Sequence, residues 1–478
     1  DNNCYFTSEG GKGLLRSRNR CEFDCPTQSL AFERKYFLSA NGNAQMKSAL
    51  NLSSDLAVLG GEKSVKVTIP TFSSVAQEEK KAVIEFFDSE QPLSGFYGSA
   101  QPRFFGGPKV KEFEAAWCEK FKVPYAISVN SATSGLIAAM GAVGIGPGDE
   151  VIVPPYTMSA TAVAPLFYGA VPVFVDIEDA FFCLDIDKVK AAITERTRAI
   201  VAVNLWGHPS RLAELRALAD ERGIYLVEDN AQALLAQEDT EWTGCVGHIG
   251  VFSMNIHKHI QTGEGGVCVC HSKELADRLC LIRNHGENVV DWLGVSDITN
   301  LIGFNFRQTE IGAAIGLSQL GKVDQMVDRC RRISTALSEG LKGLDGLLIP
   351  SVREGCSHSY FMWSLRFDQD VVGCSREAFV DALKAEGVPV AQGYVAPLYR
   401  LPVFQQKVAI GSGGYPFNLS SVEYFEGMCP VTERLHEREI IQYQPVSWDP
   451  SQEQIDQMID AFHKVYRNAS KLSREQQR

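Results

Sequence analysis

Between Tyr125 and Cys270 short apolar runs alternate with helical ones, and this alternation constrains the fold more than any other feature of the chain. The strand-like runs are Ala126–Val129, Glu150–Val153, Val171–Val175, Ala199–Val203 and Tyr225–Glu228. Between them a helical pattern occupies Ser134–Val143, Thr161–Tyr168, Ile186–Ile193 and Leu212–Glu221. Apolar strands separated by helices predict an α/β fold with a mostly parallel sheet covered on both faces. Ligands on such sheets lie at the carboxyl ends of the strands, so the residues just after each strand are the first place to seek a site.

At 478 residues the chain exceeds one ordinary core, and two packed domains are expected. Residues 56–300 read as a large domain, and residues 301–470 as a linking helix with a smaller C-terminal α+β domain. A tail is expected over 471–478. Residues 1–55, with Arg16, Arg18 and Arg20 and no sustained periodicity, read as an N-terminal extension, flexible or draped over the body. A helix is predicted from Ser73 with Val75, Val83, Ile84, Phe86 and Phe87 on its apolar side, and another through Val110, Phe113 and Trp117 after the Gly95–Pro108 loop. Further helices are expected at Leu275–Arg283, Thr309–Glu339 and Arg376–Glu386, with a strand at Tyr360–Phe367. The last helix carries Ile455, Met458, Ile459, Phe462 and Val465 on one face, with Asp449 as its cap and Pro450 in its first turn.

A net charge of −12 argues against nucleic acid or an anionic membrane surface as partner, because both demand a basic face. The uncharged stretches Val123–Gly148 and Val151–Val175 are each long enough to raise the question of a membrane span, but glycines break the first and Pro154, Pro155, Pro165 and Pro172 the second. Buried strands and helices of a parallel sheet account for the same hydropathy. Thirteen scattered cysteines suit reduced thiols, and the opening residues offer no apolar run of signal length, so a cytoplasmic protein is expected. Neither Cys21/Cys25 nor Cys268/Cys270 has the second pair that a zinc site needs, and no metal is expected.

Three pieces of the sequence carry chemistry. The run Leu226-Val227-Glu228-Asp229-Asn230-Ala231-Gln232 ends an apolar strand in two acids, which puts Asp229 where it meets a ligand; alone, it would read as a helix cap. The run Val129-Asn130-Ser131-Ala132-Thr133-Ser134 sets small hydroxyl residues between a strand and a helix, either a capping motif or an anion site, phosphate above all. Lys258 precedes the glycine-rich turn Gly263-Glu264-Gly265-Gly266 and the apolar run Val267–Cys270, so its amine can be held at one point of a cleft for covalent carbonyl chemistry.

Taken in order, these pieces resemble the DegT/DnrJ/StrS aminotransferases, fold type I enzymes that use pyridoxal phosphate and mostly aminate keto sugars. The resemblance spans roughly Leu56 to Val465. It includes Leu56-Ala57-Val58-Leu59-Gly60-Gly61, Gly106-Gly107-Pro108, the Ser131 turn, the run Gly146–Pro154, Glu228–Ala233, Lys258 before its glycine turn, and Asn305-Phe306-Arg307.

The resemblance implies that Lys258 bonds to the cofactor aldehyde and shuttles the proton, and that Asp229 keeps the pyridine nitrogen protonated. Gln232 would touch the ring's phenolic oxygen, while Ser131, Ala132, Thr133 and Ser253 would hold the phosphate. Asn305 would reach the phosphate of a neighbouring subunit, which implies a homodimer with shared active sites. The donor would be glutamate or glutamine, and the acceptor a small-molecule ketone, a keto sugar first; Tyr156, Arg307 and Tyr394 are substrate candidates. Arg103 and Arg307 could pair with a carboxylate or diphosphate, or serve as plain salt bridges. The chain departs from the family at Met158, where an aromatic residue commonly stacks on the ring, and at Ala132, where glycine is usual.

A family subgroup of dehydratases has histidine in place of the lysine, but five positions before Gly263 lies Lys258, with His257 and His259 as packed bystanders. A nicotinamide oxidoreductase is disfavoured because Gly144, Gly146 and Gly148 follow a helix and precede a strand, the reverse of the dinucleotide fingerprint. A catalytically silent member of the fold would lack Lys258 or Asp229. Within the family, the runner-up is an enzyme of antibiotic biosynthesis acting on a cyclitol ketone or an aminobenzoate precursor.

Overall fold

The computed structural model describes residues 55–98, 103–286 and 289–475. The extension expected over residues 1–55 therefore lies almost wholly outside the described residues, as does the end of the expected tail.

The alternating region forms a sheet of seven strands: β1 (Tyr125–Val129), β2 (Glu150–Val153), β3 (Val171–Phe174), β4 (Thr197–Val203), β5 (Tyr225–Asp229), and, beyond the two-residue strands β6 (Gln237–Glu238) and β7 (Glu241–Trp242), β8 (Ile249–Ser253) and β9 (Gly266–Cys270). Their order is β1-β9-β8-β5-β4-β2-β3. The neighbours from β8 through β3 pair in parallel, while β9 runs antiparallel to both β8 and β1. That reversal matters for the site. An antiparallel return needs no crossover helix, so the segment carrying Lys258 arcs over the carboxyl edge where the parallel strands end.

Helices lie on the sheet as the periodicity requires. The helix Ala132–Ala142 packs its small residues so closely that a Cβ on Gly135 would meet Val251 Cγ1 at 2.7 Å and Cys268 Sγ at 3.0 Å. On another side Trp117, from the helix Pro108–Phe121, is fully buried and meets Phe113, Phe121 and Phe252 at ring centroid distances of 5.7, 5.0 and 5.2 Å. Burying one such aromatic contributes on the order of 3 kcal/mol. No helix of the described residues is long and apolar enough to cross a membrane.

A second core surrounds an antiparallel sheet of order β10-β12-β14-β13, where β10 is Leu347–Leu348, β12 Trp363–Phe367, β13 Ala391–Gln392 and β14 Ile440–Tyr443, and Leu56, Val65 and Ile69 from the start of the expected large domain pack into it. The strand β11 (Cys356–Ser357) instead pairs with β6. The helices Val323–Leu341, Arg376–Ala385 and Gln452–Arg467 supply buried faces to the same core.

Several local expectations are corrected. The first helix starts at Gln77, where Glu79 accepts the Ala76 N–H at 2.7 Å, and of its expected apolar face Phe86 is buried while Val75, Ile84 and Phe87 are exposed. The helix expected over Thr309–Glu339 is two helices, Glu310–Gly321 and Val323–Leu341. It breaks at Lys322, which follows a glycine and gives its ammonium to the buried Glu79 at 2.8 Å. The span Thr161–Tyr168 holds a four-residue helix, Ala160–Val163, and a tighter 3-10 turn containing Pro165, whose ring cannot continue an α-helix. The last helix is capped by Ser451 instead of Asp449. Ser451 Oγ accepts the Gln454 N–H at 3.2 Å and Gln454 Oε1 returns the bond at 3.0 Å, while Asp449 faces Arg329 at 3.6 Å. The first residues of the expected tail belong to a short helix, Ala469–Glu475.

Candidate active site

Four strand ends and one loop meet at the carboxyl edge. Asp229 is the last residue of β5 and is 4 % exposed. Its Oδ2 accepts the Thr161 hydroxyl at 2.7 Å and its Oδ1 the Ala231 N–H at 3.2 Å. Burial pushes its carboxyl up, and these two bonds and the charge of Lys258 oppose the push. Immediately before it Glu228, fully buried, accepts the N–H groups of Gly244, Val246 and Gly247 at 2.6, 2.9 and 2.6 Å and the Asn204 amide at 3.0 Å. Adjacent acids thus differ in use: Glu228 ties the next loop down, and Asp229 keeps an uncommitted lone pair for the cleft.

Lys258 stands in the arc between β8 and β9, its backbone N–H donated to Asn255 O at 2.9 Å. Its Nζ lies 4.4 Å from the centre of the Phe361 ring, a residue of the second core. Burial lowers the ammonium from 10.5 to about 8, and the Asp229 carboxylate pulls it partly back. An amine held there is available as a nucleophile near neutrality. Its neighbours divide. His259 is buried, donates Nε2–H to Ser359 O at 2.9 Å and is held by burial at about 4, hence neutral. His257 is exposed, which corrects the expectation that it packs: the arc turns it outward, with its N–H on Asn255 Oδ1 at 3.3 Å. Among the described residues no group of His, Cys, Asp and Glu could hold a metal ion.

At the end of β1, Ser131 caps the helix Ala132–Ala142. Its Oγ accepts the Ser134 N–H at 3.1 Å and its carbonyl the Gly135 N–H at 3.0 Å. The N–H groups of Ala132 and Thr133 have no partner within the helix, and Thr133 is exposed. Gly266 on β9 keeps this turn accessible, since a Cβ there would meet Ala132 N at 2.8 Å. Ser253, at the end of β8, accepts the Asn255 N–H at 3.3 Å. The Asn305 carbonyl accepts the Asn130 amide at 3.3 Å, which brings that segment to the same turn, with Asn305 itself exposed. Arg307 donates to Asn284 Oδ1 at 2.9 Å, a structural bond, and Arg103 lies exposed in the Arg103–Phe105 turn.

The remaining wall is aromatic. Gln232 is buried, accepts the Trp206 N–H at 3.0 Å on Oε1 and donates from Nε2 to the Tyr394 hydroxyl at 3.1 Å. The amide is thereby oriented, with its second Nε2 hydrogen left over. Tyr156 packs edge-on against Trp206, Tyr394 and His436 at 5.8, 5.7 and 5.8 Å. Desolvation pushes Tyr394 up to about 12 and Tyr156 higher, so both are neutral phenols. Met158 is 53 % exposed.

The structure therefore brings Lys258, Asp229, Gln232, Tyr156 and Tyr394 together at the carboxyl edge, with the Ser131 turn, Ser253 and Asn305 along the same edge. It adds Thr161, Trp206, Phe361 and His436, which sequence reasoning passed over. Thr161 lay inside an expected helix, where a hydroxyl carries no signal, and Phe361 lies about a hundred positions from the lysine it faces.

The donor set suits a molecule with an aldehyde, a basic ring nitrogen and a phosphate: an amine half neutral at about pH 8, a buried carboxylate, and a helix N-terminus with unpaired N–H groups. A family model described as the DegT/DnrJ/EryC1/StrS aminotransferase family matches residues 99–463. The chain is 34% identical over 336 residues to UDP-N-acetyl-3-dehydro-alpha-D-glucosamine 3-aminotransferase of Acidithiobacillus ferrooxidans, covering 70% of this chain and 83% of that protein. It is 32% identical to GDP-perosamine synthase of Vibrio cholerae, covering 68% and 87%. Among solved structures it superposes on DesI, crystallised with its TDP-sugar product, with a TM-score of 0.71 and 28% identity over 89% of this chain and 100% of that one.

Proposed function

The chain belongs to the DegT/DnrJ/EryC1/StrS aminotransferase family, whose enzymes use pyridoxal 5′-phosphate, and from that premise we propose that it aminates a keto sugar, nucleotide-linked or related, with glutamate or glutamine as donor. The observation that carries the assignment of residues is the placement at the carboxyl edge of a buried Asp229 ending β5 and, in the arc after β8, a Lys258 whose amine lies against Phe361 and whose ammonium burial lowers to about 8. The names of the relatives, which act on or are bound to sugar nucleotides, support the substrate class.

When bound, the cofactor supplies an aldehyde carbon for the amino group and a protonated ring that draws electrons from the substrate carbon. The protein's part follows from its own atoms. Lys258 Nζ, with its ammonium lowered by burial, would be the amine that meets the cofactor's aldehyde and the base that holds and moves the proton at the reacting carbon. Asp229, in its ionised form, would pair with the cofactor's protonated ring nitrogen. Gln232 presents its remaining Nε2 hydrogen to the ring oxygen. The N–H groups of Ala132 and Thr133, with the Ser131, Thr133 and Ser253 hydroxyls, hold the phosphate. Met158 supplies the wall on which an aromatic residue usually stacks, a softer sulfur contact. Tyr156 and Tyr394 line the acceptor side as neutral hydrogen-bond donors, and Arg307, which gives one N–H to Asn284, keeps its other N–H groups for an anionic part of the acceptor.

We further propose a homodimer with shared sites, in which the exposed Asn305 serves the partner's cofactor, and a cytoplasmic setting without nucleic-acid or membrane partners, in keeping with the net charge of −12. Purified protein is expected to be yellow, and Lys258→Ala to lose both that absorbance and all turnover; a Lys258→Ala protein that still transaminates refutes the assignment. Asn305→Ala, or dilution of the dimer to monomer, should weaken cofactor retention, and full activity in a stable monomer rules out shared sites. A panel of keto sugars, cyclitol ketones and aminobenzoate precursors with both donors, read by mass spectrometry, separates the sugar reading from its runner-up.

A further inference from the structure

The fold places one group at the site that the family's chemistry does not require by itself. Thr161, in the short helix after β2, is fully buried and gives its only proton to Asp229 Oδ2 at 2.7 Å. A hydroxyl has one hydrogen and two lone pairs. Having donated to Asp229, Thr161 can only accept from the buried Thr157, whose Oγ1 lies 3.5 Å from its own. The pair therefore has one polarity, running from Thr157 through Thr161 to the carboxylate. A threonine in a helix commonly returns its hydroxyl to a carbonyl of the preceding turn; here it is spent across the core on a residue 68 positions away.

The backbone around it ties two walls of the cleft together. The Thr161 N–H is donated to Met158 O at 3.3 Å, so the segment that presents Met158 also sets the hydroxyl beneath Asp229. Asp229 has one other donor, the Ala231 N–H at 3.2 Å. With Thr161 removed, a carboxylate in a dry site would be left with one backbone donor, and the protonated carboxyl, which cannot hold a proton on a ring nitrogen, would gain ground.

We propose that Thr161, backed by Thr157, is a positioning residue that keeps Asp229 ionised and aimed at the cofactor's ring nitrogen. This rests on the role given to Asp229 above. The β-branched side chain has few χ1 choices, which holds the hydroxyl in place before any ligand binds.

The test uses the full chain and equilibrium dialysis with two ligands, pyridoxal 5′-phosphate and its analogue with carbon in place of the ring nitrogen. Wild type should prefer the natural cofactor. Thr161→Val should lose about tenfold in affinity for it and less than about twofold for the analogue, while Thr161→Ser stays within about threefold of wild type for both. Equal losses for the two ligands, or no loss for the natural one, overturn the proposal, because a side chain needed only for packing cannot tell nitrogen from carbon. Should Thr161→Val not fold, judged by circular dichroism and melting, Thr161→Cys, with its weak thiol donor, is read by the same criteria. Asp229→Ala separates the two layers of the argument. If it leaves the preference for the natural cofactor intact, the role of Asp229 has failed; if it abolishes the preference while Thr161→Val does not, only the role of Thr161 has.

Discussion

Raising the pH of cofactor-free protein should switch on Lys258 well below the pH at which a free lysine side chain loses its proton. Burial lowers its ammonium to about 8, against 10.5 for an ordinary lysine. At pH 7 that leaves about one Lys258 in ten as the neutral nucleophile, compared with about one in three thousand for an exposed lysine, a gain of roughly 300-fold. The linkage has a definite sign. The folded chain binds the proton less tightly than the unfolded one, so Lys258 costs stability below about pH 8, by roughly 3 kcal/mol at pH 7, and the cost fades as pH rises towards 10.5. The assay is acylation by an amine-reactive reagent at a series of pH values, with each lysine followed by peptide mass spectrometry. Restricted access slows Lys258 by a constant factor, so the midpoint of its rate profile carries the answer, expected near pH 8 against about 10.5 for a free lysine side chain. Asp229→Asn removes the charge that favours the ammonium and should move the Lys258 midpoint lower still. A midpoint at or above 10, or an upward movement in Asp229→Asn, refutes the account of the site as a dry cleft with a single compensating carboxylate.

Glu228→Gln should destabilise the fold by about 3 kcal/mol or more, because an amide NH₂ would face backbone N–H groups that now donate to a carboxylate; denaturant unfolding measures it, and a change under about 1 kcal/mol rules out the anchoring role. Met158→Phe should tighten cofactor retention by about two- to tenfold through ring stacking, at little cost in stability because the side chain is exposed. Unchanged or weaker retention in dialysis would show that position 158 does not face the ring.

Features written in short-range pattern were legible in the chain. The periodicity of Tyr125–Cys270 specifies strands and helices, and apart from Thr161–Tyr168, where Pro165 ends the α-helix, the elements predicted there appear close to their expected limits. Asp229 and the Ser131 turn stood out because a polar residue after an apolar run is placed at a strand's end by the strand itself, and Lys258 because it precedes the glycine-rich turn into the apolar run Val267–Cys270. Boundaries set by distant partners were not legible. The break at Lys322 depends on Glu79, and the cap of the last helix moved to Ser451 where Asp449 turned towards Arg329.

The sequence by itself determined the layered sheet, the carboxyl edge on which the proposed site lies and the lysine and aspartate placed along it. Only the tertiary structure decided how those two behave. The Thr161 hydroxyl on Asp229, the Phe361 ring against Lys258 and the Gln232–Tyr394 bond that joins the two cores all link residues far apart in the chain. Desolvation is a property of the surroundings and not of the residue, so the lowered Lys258 ammonium comes into being only when β8, β9 and the second core close around it.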